Sequence, residues 1–221
     1  PRAKQLLARV DVIAAEDTRT TRKLLSAHNV AARHLESLHA HNESNKAETL
    51  ARRALDEEIA LVSDAGMPGI SDPGRMVVDA ALELGVEIRS VPGPSALTTA
   101  LSLSGFPGAP SYFAGFAPRK GRDGFVQGLA ARAEVCVVFE SPKRVLDLLT
   151  RLETLAPARP VCVCRELSKK FEEVMRGPIS ELVDRLKDRD GLKGECVVVL
   201  GPGEAVSRPT QQASRDDLKG I

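Results

Sequence analysis

The sequence predicts an α/β protein made of two α/β domains, and three observations carry that expectation. Short apolar runs of strand character alternate with helix-like stretches, the βαβ rhythm of a parallel sheet covered by helices. The rhythm breaks over residues 105–118, where Gly, Pro and aromatic residues crowd together, as at a domain boundary. The length, 221 residues, suffices for one large domain or two small ones. The expected division is an N-terminal domain over residues 1–109, a C-terminal domain over 110–204 and a polar, unpatterned tail over 205–221.

In chain order, residues 2–10 read as a helix. The chain opens at Pro1, without Met, inside that helix, so a preceding segment is expected. Val10-Asp11-Val12-Ile13-Ala14-Ala15 is a β-rich run. Residues 18–28 are helical, with Asp17 placed as the N-cap. Residues 35–39 form a short strand, and 42–55 a helix capped by Asn42 or Ser44. Residues 59–63 are short and apolar, a buried strand. A Gly/Pro loop leads into a helix over 75–84, stopped at Gly85. Residues 86–91 are expected as the next strand, Pro92-Gly93-Pro94 as a turn and 95–104 as a helix. Past the break come a helix near 124–133, a strand over 135–139 and a helix with Pro142 in its first turn. Strands over 161–164 and 171–175, a helix over 179–186 and an apolar strand over 196–200 complete the pattern.

Composition excludes some functions. Hydrophobic residues make up 43% and charged residues 28%, the profile of an ordinary globular chain. Aromatics are 3% with no Trp, which argues against single-strand binding by base stacking. With a net charge of +1, nucleic-acid binding must come from local patches. No apolar run reaches the roughly 18 residues of a membrane span. Cys136, Cys162, Cys164 and Cys196 all lie in valine-rich runs and read as buried free thiols, which fits a cytoplasmic location. Zinc is not expected, because Cys162-x-Cys164 lacks a second ligand pair at finger spacing.

Candidate chemistry gathers in the loops. The loop Ser63-Asp64-Ala65-Gly66-Met67-Pro68-Gly69-Ile70-Ser71-Asp72-Pro73-Gly74 follows a buried strand, where open α/β sheets place ligands. It matches neither G-x-G-x-x-G nor a P-loop. It exceeds the usual connection of about two to six residues, and its glycines permit close backbone approach to a ligand. Pro92-Gly93-Pro94-Ser95-Ala96 repeats the geometry, so two stiff loops would wall one pocket; Ser95 also reads as a plain helix cap. Ala15-Glu16-Asp17-Thr18-Arg19 ends a strand with two carboxylates and a cation. It reads either as a cap with solvated charges or as a substrate contact; adjacent strand residues point to opposite faces, so Glu16 and Asp17 do not act as a close pair. His39 and His41 share a strand face without a third ligand, so the segment reads as a polar patch for substrate or RNA rather than as a metal site. Three basic groups stand out: Arg119 and Lys120 with Arg122, Lys143 with Arg144, and Lys169 with Lys170. Each is either solvated charge or, taken together, a phosphate-contacting face that would position an RNA without reading its sequence.

Eight segments in collinear order carry a resemblance. They are Ala15-Glu16-Asp17-Thr18-Arg19, His41-Asn42-Glu43, the run over 61–74, Val91-Pro92-Gly93-Pro94-Ser95-Ala96, Gly115-Phe116-Ala117-Pro118-Arg119-Lys120, Phe139-Glu140-Ser141-Pro142-Lys143-Arg144, the run over 165–173, and Gly194-Glu195. Together they cover nearly all of residues 10–200 and resemble the tetrapyrrole methylase superfamily, more narrowly its methyltransferases of small-subunit ribosomal RNA. The resemblance implies two α/β domains with the cofactor cleft between them, S-adenosylmethionine as cofactor, and a homodimer. It implies methyl transfer to the ribose 2′-hydroxyl of a cytidine in small-subunit (16S) rRNA, on free RNA or on the assembled subunit. It carries cofactor contact onto Asp64, Ala65, Gly66, Met67, Pro68, Gly69, Ile70 and Ser71, and onto Pro94, Ser95 and Ala96. The family's first strand and its Gly/Pro/Asn-rich loop have no counterpart here. Lys143 stands where many relatives carry His, which keeps a cation and removes a His-specific proton role.

A sulfonium is already an activated methyl donor, so the expected mechanism is mainly positioning, helped by a base for a poor hydroxyl nucleophile. Asp17, Glu16 and Glu166 are the candidates, Asp17 first. Arg19, Arg119 and Lys120 would hold phosphates near the site, and no metal is required. The rival readings are a porphyrin or precorrin C-methyltransferase of the same superfamily and a non-catalytic rRNA-binding assembly factor.

Overall fold

A computed structural model describes residues 2–189 and 191–203; the tail expected over 205–221 lies outside them. The chain divides into two compact units, Pro1–Ala96 and Leu97–Ile221.

The first unit runs α1 (Arg2–Arg9), β1 (Val12–Ala15), α2 (Thr18–Ala27), β2 (Leu35–Ser37), α3 (Glu43–Arg53), β3 (Ile59–Val62) and α4 (Arg75–Glu83). Its three strands are parallel in the order β2-β1-β3. The central β1 is buried along its whole length, which explains its unbroken apolar sequence. Alternation divides it between two faces. Ile13 and Ala15 pack with Leu25 of α2 and Leu6 and Leu7 of α1. Ala14 packs with Ala47 and Leu50 of α3 and Val77 of α4.

One expected strand is absent. Residues 86–91 form no strand, and Ile88 is 44% exposed. Their apolar alternation is strand-like, but a strand also needs a hydrogen-bonding neighbour, and these residues have none among the described strands.

The second unit runs α5 (Ala96–Ser104), β4 (Ser111–Phe116), α6 (Arg122–Ala130), β5 (Val135–Glu140), a 3₁₀ turn (Pro142–Arg144), α7 (Val145–Leu155), β6 (Pro160–Arg165), β7 (Glu173–Pro178), α8 (Ile179–Lys187) and β8 (Cys196–Leu200). Its five-stranded sheet has the order β4-β5-β8-β6-β7. β4 and β5 are parallel; the other pairs are antiparallel. Cys136 and Val138 of β5 join Val126 of α6, Leu148 of α7 and Leu182 of α8 on one face. Val135 and Val137 meet Leu97 and Ala100 of α5 on the other.

That packing moves the boundary. The sequence places it at residue 110, but α5 buries its apolar side on the second sheet and therefore belongs with the second unit. The Gly/Pro/aromatic stretch read as a break contains β4, an edge strand whose pairing with β5 shifts register between Phe113 and Phe116. Gly115 adopts φ +69 there, a conformation that favours glycine. The guanidinium of Arg132 lies 3.4 Å from the Tyr112 ring centroid, covering this edge.

Arg159 is 4% exposed. Its guanidinium donates to the carbonyls of Gly201 (2.7 Å), Leu129 (2.8 Å) and Glu134 (2.7 Å). All four cysteines are buried and unpaired; burial pushes the Cys196 thiol up to about 11, which makes it inert. Among the described residues no helix is long and apolar enough to cross a membrane.

Candidate functional site

Because β1, β2 and β3 are parallel, their carboxyl ends fall on one edge of the sheet. The chain leaves that edge at Glu16-Asp17, at residues 38–42 and at the 63–74 loop. Open parallel sheets place ligands at this edge.

The connections are knitted together. Glu16 N donates to the Val62 carbonyl at 3.0 Å. Asp64 N donates to Glu16 Oε2 at 3.1 Å, and Asp17 N to Asp64 Oδ1 at 3.3 Å. Glu16, Asp17 and Asp64 thus form one cross-braced corner, which adjacency in sequence did not reveal. Within the loop, Ser63 Oγ donates to the Gly66 carbonyl at 3.3 Å, and Gly69 N lies 3.2 Å from both the Asp72 and Pro73 carbonyls. Gly66 and Gly69 adopt φ +86 and +78, where a side chain would be strained. A Cβ at Gly66 would lie 3.9 Å from the Pro94 carbonyl oxygen. The Pro92-Gly93-Pro94 turn therefore approaches this loop, although no strand precedes it.

Glu43 is the residue that the sequence pattern underrates. Its Oε1 accepts from both Gly74 N and Met76 N at 2.8 Å, satisfying donors at the N-terminus of α4. Asn42 takes the expected N-cap position of α3, but its Oδ1 accepts from His39 N at 2.8 Å and not from the helix. The only sequence signal for Glu43 is its place in His41-Asn42-Glu43. The rings of His39 and His41 meet edge-on at 6.0 Å.

The candidate carboxylates have different surroundings. Asp17 caps α2 through Arg19 N at 2.8 Å, and both its oxygens are held by the Arg19 guanidinium. These hydrogen bonds hold its carboxyl well below the usual range. Such a carboxylate is a weak base. Glu166 lies in the second unit with φ +51. It accepts from Lys169 Nζ and Glu195 N at 2.9 Å, and Lys169 is the main cause of its lowered carboxyl pKa. Among the described residues, Glu16 is the one of the three with no cationic partner.

The basic residues also separate. Arg19 is engaged by Asp17, and Lys169 by Glu166 and Glu195. Arg122 and Arg144 both bind the fully buried side chain of Glu140. Arg119, Lys120, Lys143 and Lys170 are exposed and form no ion pair among the described residues; Lys170 lies 5.5 Å from the Phe171 ring centroid. A free, exposed ammonium or guanidinium can neutralise a phosphate without first breaking a pair.

Comparisons with known proteins identify the family of the chain. Residues 1–183 match the family of tetrapyrrole (corrin/porphyrin) methylases. The chain is 40% identical over 203 residues to a ribosomal RNA small subunit methyltransferase I of Hydrogenobaculum sp. (strain Y04AAS1), spanning 90% of this chain and 87% of the relative. It is 40% identical to the protein of that name in Thermotoga maritima, across 92% and 91% of the two chains. In Mycobacterium bovis the corresponding relative is 43% identical, across 90% and 71%. Among solved structures, diphthine synthase superposes with a TM-score of 0.68 at 13% identity, covering 90% and 83%. The uroporphyrin-III C-methyl transferase from Thermus thermophilus, complexed with S-adenosyl homocysteine, gives 0.59 at 18% identity, covering 90% and 89%. The chain belongs to the tetrapyrrole (corrin/porphyrin) methylase family, alongside the ribosomal RNA small subunit methyltransferases I.

Proposed function

We propose that this protein transfers the methyl group of S-adenosylmethionine to small-subunit ribosomal RNA, at the ribose 2′-hydroxyl of a cytidine. The observation that supports it most is the braced 63–74 loop at the carboxyl edge of a parallel sheet, read with relatives at 40–43% identity whose names specify small-subunit rRNA. The solved corrin and porphyrin methylases are similar at 18% identity and support the shared fold alone, so the small-molecule reading stands second. The family resemblance further supports a homodimeric, cytoplasmic enzyme.

The loop suits the cofactor. Asp64, Ala65, Gly66 and Met67 are exposed, and Ile70 is 63% exposed. The loop therefore offers backbone amides, a carboxylate for hydroxyl groups, and apolar side chains for a flat ring. Pro94, Ser95 and Ala96 would form a second wall. The bound sulfonium supplies an electrophilic methyl group. The protein's own work is to hold the acceptor near it and to take up the hydroxyl proton. Glu16 is suited to the proton, being free of any cation at the same sheet edge, whereas Asp17 is a cap. Asp17→Asn should leave kcat within about threefold, and Glu16→Gln should lower it by about 10²-fold, the usual share of a general base. A 10²-fold loss in Asp17→Asn would restore that residue as the base.

Arg119, Lys120, Lys143 and Lys170 are assigned to phosphate contact. Arg119→Ala with Lys120→Ala should weaken rRNA binding and lower the slope of log affinity against log salt by about 2, one unit per lost phosphate contact, while calorimetric titration with S-adenosylmethionine stays unchanged. Unaltered RNA affinity would refute the assignment. A chain that binds rRNA but gives no heat with the cofactor would be the assembly factor instead.

A further inference from the structure

We propose that Glu140 is the positioning residue of the phosphate-contacting face, a role that rests on the rRNA reading above and extends it. Glu140 closes β5, and its side chain is 0% exposed. Oε2 accepts from Arg122 Nη1 at 2.8 Å. Oε1 accepts from Arg144 Nη2 at 2.8 Å and from Ser141 N at 2.7 Å. Arg122 Nη1 also reaches the Pro118 carbonyl at 3.2 Å.

One carboxylate therefore fixes two separate stretches of chain. Through Arg122 it holds Pro118, directly before the exposed Arg119 and Lys120. Through Ser141 and Arg144 it brackets the exposed Lys143 on both sides. Arg122 Nε continues the network to Asp147 Oδ2 at 2.9 Å, and Asp147 Oδ1 binds Arg151 Nε at 2.8 Å, anchoring the cluster on α7.

Stability alone does not account for this arrangement, because buried ion pairs are often no better than apolar residues of the same volume. It also leaves donors unmet. Arg122 Nη2 and Arg144 Nη1 are buried without any partner among the described residues, and such groups are costly. Both nitrogens are closed off from solvent, so these two arginines serve as the frame for the neighbouring cations and not as phosphate contacts themselves. The locked arginines set the geometry, and the free cations beside them supply the charge.

The test compares Glu140→Gln with the Arg119→Ala, Lys120→Ala double variant in the full-length protein. Binding to a small-subunit rRNA fragment is followed across a salt series, with S-adenosylmethionine titration, KM and kcat alongside. Glu140→Gln is expected to raise the RNA Kd and KM about tenfold, with kcat at saturating RNA and cofactor affinity within twofold. If RNA affinity falls only together with cofactor affinity and kcat, Glu140 is structural and the proposal is overturned. Unchanged RNA affinity in Glu140→Gln, with the double variant weakened, overturns the positioning role and leaves the rRNA reading standing. If both variants bind RNA normally, the phosphate-contact reading of this face falls as well. Should Glu140→Gln fail to fold, Arg144→Lys decides, because it keeps the charge and removes the guanidinium fork. A roughly tenfold loss of RNA affinity there supports positioning, and unchanged affinity refutes it.

Discussion

Arg159→Leu is expected to destabilise the second unit by about 3–5 kcal/mol, the scale of leaving several buried polar groups without partners. Leucine fills part of the space but donates nothing, so the carbonyls of Gly201, Leu129 and Glu134 would each lose a charge-assisted bond of 2.7–2.8 Å. Those carbonyls directly follow β8, lie in the last turn of α6 and directly precede β5, so one side chain joins three places around the sheet. Urea denaturation followed by tyrosine fluorescence reports on this unit specifically, since the single Tyr of the chain is Tyr112 on β4 and Trp is absent. The midpoint should fall with the slope unchanged. Arg159→Lys should recover only part of the loss, because an ammonium cannot reproduce the planar fork. A loss below about 1 kcal/mol would show that the three carbonyls find other donors.

Gly74→Ala is expected to lower S-adenosylmethionine affinity at least tenfold. Gly74 sits at φ +130. A Cβ there would lie 3.4 Å from Gly69 N and from Pro68 Cβ, and 3.5 Å from Leu61 Cδ1. Backbone strain at such a position is on the order of 1–3 kcal/mol, and about 1.4 kcal/mol expressed in binding is a factor of ten. The loop would relieve the strain by moving against its own turn, which is the part assigned to the cofactor. Gly85→Ala is the control: Gly85 has φ +73, and a Cβ there would meet nothing within 4 Å. It should lose stability but keep cofactor affinity. Equal affinity losses in the two variants would remove the special role of the loop.

Much of this architecture is legible in residue order because periodicity reports burial. The unbroken apolar Val12-Ile13-Ala14-Ala15 announces a strand covered on both sides, and Asp17 announces a cap. Residues 86–91 show the limit: alternation reports a face and not a hydrogen-bonding neighbour, so a strand is expected where none forms. β4 is hidden for the opposite reason. An edge strand with Gly115 at φ +69 tolerates residues that elsewhere mark turns. Among the site residues, the loop at 63–74 stands out by its length and its glycines. Glu43 and Glu140 do not, because each has a partner far away in sequence, Gly74 at 31 residues for Glu43 and Arg122 at 18 residues for Glu140. Basic dipeptides likewise look alike on paper, and only the location of acidic partners separates paired cations from free ones.

Neighbouring positions 143 and 144 illustrate what that separation means for sequence change. Lys143 projects into solvent with no ion pair among the described residues, while Arg144 is tied to Glu140 at 2.8 Å. A drift from lysine to histidine or arginine at 143 alters the charge offered to solvent and leaves the framework intact. Loss of the guanidinium at 144 would instead take one of two cationic partners from a buried carboxylate. Adaptation of this surface to a different helix or groove has its freest raw material at 119, 120 and 143, on a scaffold whose own arginines are not open to trade.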